Sequence, residues 1–189
     1  NIKLAQKIEA TMVYDKPSEE MIVAASTHDG EEEAVVEGYL EYVKENPSKL
    51  VVVPRHPERF ESVWQLLQQK AGSLSLSRWS DRKDFAADIT LVDAMGELNN
   101  IYAVADIAVL GGAFREDVGG HNPLEPAHFG CKIISGKHFF HQKELFKYVH
   151  HMQFAEPEEI AAALKKAQEL PPSEVSETID LERFIKELK

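Results

Sequence analysis

Three short stretches of the chain hold residues that could do chemistry together. "GGHNPLEPA" (Gly119 to Ala127) combines two glycines, a histidine, an Asn-Pro pair and a glutamate. Asn122 suits a helix N-cap and Pro123 the first helical position. A helix that starts there leaves free N–H groups and a positive dipole end beside a glycine-lined opening. That arrangement suits an anion, phosphate being the usual occupant. Gly119 and Gly120 remove side chains that would block it. His121 adds a donor or a positive charge. Glu125 has two open readings. It closes a capping box back onto Asn122, or it turns aside and accepts bonds from a sugar diol, as acidic residues do for ribose in nucleotide folds.

"PRHPER" (Pro54 to Arg59) brings Arg55, His56 and Arg59 together. Taken alone it could be a solvated basic turn, but Arg is also the residue suited to bidentate recognition of phosphate or carboxylate. "STHDGEE" offers Ser26 and Thr27 as ligand donors and Asp29 as a helix cap, with Glu32 three residues on. The run Glu31–Glu33 reads as a solvated helix start that favours the dipole. His138, His141, His150 and His151 match no strong zinc spacing, so no metal is expected. Cys131 is the one cysteine, which excludes an intramolecular disulfide and fits a reducing compartment. It opens the apolar run "CKIIS" and reads as a small buried strand residue.

These groups need a scaffold, and the composition allows one. The chain has 189 residues, 43% hydrophobic and 28% charged, as expected of one ordinary globular domain. A net charge of −11 argues against a nucleic-acid partner, which needs a basic face. It leaves room for one small anion held by local cations. No apolar run approaches the roughly 20 residues of a membrane helix. The start "NIKLAQKIEA" has no initiator Met or targeting pattern and is expected to be a cut inside a longer protein.

Short apolar runs alternate with helical periodicity along the chain. "MIVAAS", "LVVVP", "DITLVD", "DIAVLGG" and "CKIIS" read as strands, "SLSLSRW" as an edge strand and "MQFA" as a weak one. Continuous β-branched runs suit parallel strands buried on both faces. Helices are expected over "EEEAVVEGYLEYVKEN", "PERFESVWQLLQQKAG", "MGELNNIYAVA", "NPLEPAHFG", "HQKELFKYVHH" and "PEEIAAALKKAQEL". The pattern implies an α/β fold: a Rossmann-like, doubly wound, mostly parallel sheet with helices on both faces. It reads as a single domain over 1–189, with 1–20 as an entry segment, a break at Pro171–Pro172 and 173–189 as a C-terminal helix. Ligands of open α/β sheets sit outside the carboxyl ends of the strands. "STHDG", "PRHPER", "AMGEL" and the glycine-rich stretch all follow strands, so the fold should bring them to one rim.

In this order, "STHDGEE", "VVVPRHPERF", "DAMGEL", "YAVADIAVLGG" and "GGHNPLEPA" resemble the 3-deoxy-D-manno-octulosonic acid (Kdo) transferases, from about Met21 to Phe154. The resemblance implies a GT-B glycosyltransferase, of which this chain is similar to the C-terminal, donor-binding half. The implied reaction is inverting, metal-independent transfer of Kdo from CMP-Kdo to a lipid A precursor, in lipopolysaccharide synthesis at the cytoplasmic face of the bacterial inner membrane. The acceptor half and its catalytic glutamate would lie outside this chain, leaving the chain inactive alone, with no catalytic residue and no cofactor of its own.

By the same resemblance the donor pocket would use Ser26, Thr27, Arg55, His56, Met95, Gly96, Glu97, Leu98, Gly112, Gly119, Gly120, His121, Asn122 and Glu125. The Met95–Leu98 turn would meet cytosine, largely through backbone groups. Arg55 and His121 would assist at the phosphate, with the Kdo carboxylate a second possible partner for Arg55, and Glu125 would take the ribose. One departure is Ala113-Phe114, where the family often has Ser-Leu, so a hydroxyl donor is missing. Two rival readings are half of a UDP-sugar epimerase and a non-catalytic nucleotide-binding module.

Overall fold

A computed structural model describes residues 8–176. The strands are β1 (Glu20–Thr27), β2 (Ser48–Pro54), β3 (Leu76–Arg78), β4 (Ile89–Leu91), β5 (Ile107–Leu110), β6 (Lys132–Ser135), β7 (Val149–His150), β8 (Gln153–Phe154) and β9 (Glu174–Val175). The helices are α1 (Glu31–Tyr42), α2 (Phe60–Lys70), α3 (Leu98–Tyr102), α4 (Leu124–His128), α5 (Lys143–Phe146) and α6 (Ile160–Ala167). Seven strands form one sheet in the order β3-β4-β2-β1-β5-β6-β8, and every pairing in it is parallel. "SLSLSRW" does provide an edge strand, β3.

Alternation along β1 divides the core in two. Ile22 and Ala24 face one layer, with Leu50, Val52, Ile107 and Val109 and with Val35, Tyr39, Leu67 and Leu164 from α1, α2 and α6. Met21, Val23 and Ala25 face the other, with Val51, Ala108, Leu110 and Ile133 and with Ile101, Leu124 and Phe146 from α3, α4 and α5. Burial on both faces is what continuous β-branched strands require. The chain leaves β1 towards β2 on one side and returns at β5 on the other. The topological switch, where ligands of such sheets bind, therefore lies between the carboxyl ends of β1 and β5.

Local expectations need three corrections. Asp29 does not cap α1: Gly30, at φ 86°, flanks the helix without any side-chain cap. Instead Asp29 pairs with Arg59 at 3.1 Å. "HQKELFKYVHH" is helical only over Lys143–Phe146, because Val149 and His150 leave to pair antiparallel with β9. Position 173 does not open a helix. Ser173 is buried, accepts the Ile133 N–H at 3.1 Å and leads into β9. The rest of the expected C-terminal helix lies outside the described residues.

The entry segment runs along α3. Asn100 Oδ1 accepts the N–H groups of Thr11 and Met12, and the Tyr14 hydroxyl donates to Glu97 at 2.6 Å. Tyr14 also packs edge-on against Trp79 and Phe85.

Candidate functional site

The carboxyl end of β1 is bent. A bulge between Ala25 and Thr27 interrupts its register with β2, and Ser26 sits at φ 53°, a left-handed conformation that non-glycine residues rarely adopt. The next strand over explains how it is held. Gly111 lies so close that a Cβ there would come within 2.7 Å of the Ser26 carbonyl oxygen. Ser26 lines a cavity of about 160 Å³ with Pro54, Arg55 and the Met95–Leu98 turn. Three of the separate stretches, those after β1, β2 and β4, therefore do meet at one rim, while the glycine-rich stretch after β5 does not line this cavity. Another cavity, about 630 Å³, opens under the entry segment beside Glu19, Lys49 and Ala86. It lies at the amino ends of the strands, away from the rim where open α/β sheets bind ligands, so the smaller cavity is the candidate site.

His28 follows the bend. Its Nε2 lies 2.8 Å from Nε2 of His121, and the two rings are near-parallel, 11° apart, with 5.0 Å between centroids, so they meet edge to edge through these nitrogens. His56 meets His28 edge-on at 5.4 Å. Burial, helped by His28, Arg55 and His56, pushes the His121 imidazole down to about 4. Burial and the same cationic neighbourhood lower His28 as well. Both imidazoles are thus neutral near pH 7, one donating Nε2–H and the other accepting. Arg55 and His56 are exposed, while the Arg55 N–H is fixed on the Thr27 carbonyl at 3.0 Å.

The glycine loop supports His121 from below. Gly112 sits at φ 77°, and a Cβ on it would come within 2.7 Å of the His121 ring. Gly119 and Gly120, at φ 90° and 87°, pack against His141 and Phe139, and Gly120 N–H donates to the Gly112 carbonyl at 2.8 Å. Their role in the structure is this close turn. Pro123 already has helical dihedrals, and Asn122 Oδ1 accepts the Leu124 N–H at 3.0 Å, so Asn122 caps the short α4. Glu125 does not close a backbone capping box. It accepts from the Asn122 side-chain amide at 3.2 Å, and burial raises its carboxyl while Arg55 opposes the rise.

Other expected site residues have different surroundings. Thr27 is fully buried and donates its hydroxyl to Glu32 at 3.0 Å, so it braces the turn rather than facing the cavity. The Glu97 carboxylate is engaged by Tyr14 and Asn100, which leaves its backbone towards the cavity. Met95 is 57% exposed. Arg59 is not a free cation, being held by Glu32 and Asp29.

Glu31–Glu33 are not a solvated start. Glu31 and Glu32 are buried, and only Glu33 reaches outward, to Lys70. Sequence reasoning missed His28, Glu31 and Glu32 as parts of the site. The position of His28 directly after a strand could have flagged it. A row of glutamates at a helix start carries no such signal. Cys131 is buried, its thiol raised to about 12 by burial, as its place before β6 suggested. No group of side chains suited to a metal ion occurs among the described residues.

A fold of this kind also occurs in solved glycosyltransferases. A C-terminal domain of a group 1 glycosyltransferase from Francisella tularensis superposes with TM-score 0.54 at 17% identity, covering 82% of this chain and 77% of that one. The fold is the Rossmann-like C-terminal domain of a GT-B glycosyltransferase. The C-terminal CMP-Kdo binding domain of WaaA from Acinetobacter baumannii matches with TM-score 0.71 at 27% identity, over 80% of this chain and 81% of that chain.

In sequence, the chain is 36% identical over 171 residues to the 3-deoxy-D-manno-octulosonic acid transferase of Haemophilus influenzae, covering 89% of this chain and 40% of the relative. It is 33% identical over 168 residues to that of Aquifex aeolicus, covering 88% and 44%. The chain is homologous to a segment of the Kdo transferases, and it spans less than half the length of these relatives. No protein-family model matches the chain. No helix among the described residues is long and apolar enough to cross a membrane.

Proposed function

We propose that this chain is the donor-binding domain of a Kdo transferase and holds CMP-Kdo at the β1/β5 switch. The observation that carries the reading is the meeting of Ser26, Arg55 and the Met95–Leu98 turn around one cavity, beside the His28–His121 pair. Cytosine stacks on or hydrogen-bonds to the Met95–Leu98 turn, Glu125 accepts from the ribose hydroxyls, and the phosphate faces Arg55, His56 and His121. The Kdo carboxylate is a second anion within reach of Arg55. In the transfer step the acceptor hydroxyl of a lipid A precursor attacks the anomeric carbon with inversion, and CMP leaves with the bonding electron pair. Arg55 stabilises the charge that grows on the departing phosphate, with the neutral His121 imidazole as a hydrogen-bond donor. That assigns the counter-charge to side chains and not to a metal.

The attacking hydroxyl needs a base, which this reading places in another part of the full protein, at the cytoplasmic face of the inner membrane. Titration of the 189-residue chain with CMP, UMP and UDP tests the donor assignment. CMP should bind most tightly and shift amide resonances from Gly119 to Glu125. Preference for UDP would favour an epimerase-type site, and unchanged Gly119–Glu125 resonances with CMP would sink the assignment.

A further inference from the structure

The first glutamate of α1 does not meet water. Glu31 is 2% exposed, at the crossing of the β1 turn and the β5 glycine loop. Its Oε1 accepts the N–H groups of Gly112 at 2.9 Å and Phe114 at 3.2 Å. Its Oε2 accepts those of Gly112 at 2.8 Å and His28 at 2.9 Å. Gly111 makes room: a Cβ there would come within 2.9 Å of Oε2. One carboxylate thus joins the backbone that carries His28 to the loop that supports His121, across 81 residues of sequence.

We propose that Glu31 is the positioning residue of the donor site: its carboxylate locks the β5 glycine loop against the β1 turn and so sets the His28–His121 pair. The claim about the imidazole pair rests on this geometry. Its extension to ligand affinity rests on the donor-binding reading above.

A carboxylate is required for a geometric reason. Three backbone N–H groups converge on two terminal atoms, and both atoms must accept. Glutamine has the same shape but one acceptor, so its amide N–H₂ would face at least one backbone N–H. A buried donor left against a donor loses its bond and its hydration together. Serving three N–H groups offsets the cost of burying the charge, although burial still raises the Glu31 carboxyl. Other charges face the histidine pair. His56, Arg55, Arg59 and Arg115 disfavour a proton on His28, while Asp117 is its acidic neighbour. His121 is faced by His28, Arg55 and His56. Burial and these cations keep the pair neutral, and Glu31 fixes the two backbone segments that bury it.

The test uses the ligand-free chain with Glu31→Gln. Glu32→Gln serves as reference, because Glu32 holds Thr27 and Arg59, whereas the hydrogen bonds to the glycine loop come from Glu31. Imidazole ¹H–¹⁵N spectra from pH 4 to 8 report tautomer and titration midpoint for His28 and His121. Glu31→Gln should move the His121 midpoint up by about one pH unit and weaken CMP binding about tenfold, with a much smaller midpoint shift in Glu32→Gln. A merely structural role would lower thermal stability and leave the imidazoles unaltered. A folded Glu31→Gln chain with wild-type midpoints for both histidines would overturn the proposal. If that variant does not fold, Glu31→Asp keeps both acceptors on a shorter stem and must still shift the His121 midpoint. Should the wild-type chain bind no CMP, the donor reading fails, while the imidazole spectra still decide the role of Glu31.

Discussion

His28 and His121, 93 residues apart in sequence, face each other with 2.8 Å between their Nε2 atoms. Such a pair holds one proton between the facing nitrogens, and a charge on both rings would break it. His121 is held down to about 4 in the fold, against about 6.5 for a free histidine. Between those values the unfolded chain binds more protons, so stability rises with pH across the window and is lost as pH falls from about 6.5 towards 4. His121→Gln should flatten this part of the profile of thermal midpoint against pH. An unchanged acid slope in the variant would assign it to other groups.

Arg55 is exposed, and its backbone N–H is tied down to the Thr27 carbonyl. Arg55→Ala should leave stability within about 0.5 kcal/mol, because surface changes away from special features cost little. It should weaken CMP about tenfold to a hundredfold while barely affecting cytidine, since the lost partner is the phosphate. Equal losses for CMP and cytidine would place Arg55 elsewhere in the pocket. Calorimetric titration of both ligands decides it.

Asn122 and Glu125 divide their duties. Asn122→Ala removes the bond to the Leu124 N–H and should cost about 1 kcal/mol of stability. Glu125→Gln leaves that bond in place and should change stability little. It should reduce discrimination between CMP and its 2′-deoxy form by about tenfold, the worth of a hydrogen bond to a charged group. Loss of stability in Glu125→Gln with discrimination intact would return Glu125 to a capping role.

Gly112 and Gly72 separate backbone strain from contact. Both have positive φ, but a Cβ on Gly72 would meet nothing within 4 Å, whereas on Gly112 it would press on the His121 ring. Gly72→Ala should cost about 1 kcal/mol from strain alone. Gly112→Ala should cost more in chemical denaturation and also weaken CMP. Equal costs with CMP binding unaltered would show that the loop does not need the close approach.

The chain's alternating strands and helices were legible because burial on both faces demands runs such as "LVVVP". The rim was legible too, since residues after parallel strands share one end of the sheet. Ser26, Arg55 and Met95–Leu98 meet there as expected. The β7–β9 pair was missed because "HQKELFKYVHH" has helical spacing and its strand partner lies beyond Pro172. Thr27 and Glu97 were of the right type and place, but their side chains have partners, Glu32 and Tyr14, that spacing does not display.

The sequence alone determined the parallel α/β scaffold, the rim of strand ends and the glycine-rich turn, because each is written in local periodicity and residue type. Only the tertiary structure decided that Glu31 is buried and that two histidines form one pair. Those outcomes depend on contacts across 81 and 93 residues. A glutamate at a helix start looks solvated until another segment's N–H groups arrive to replace its water.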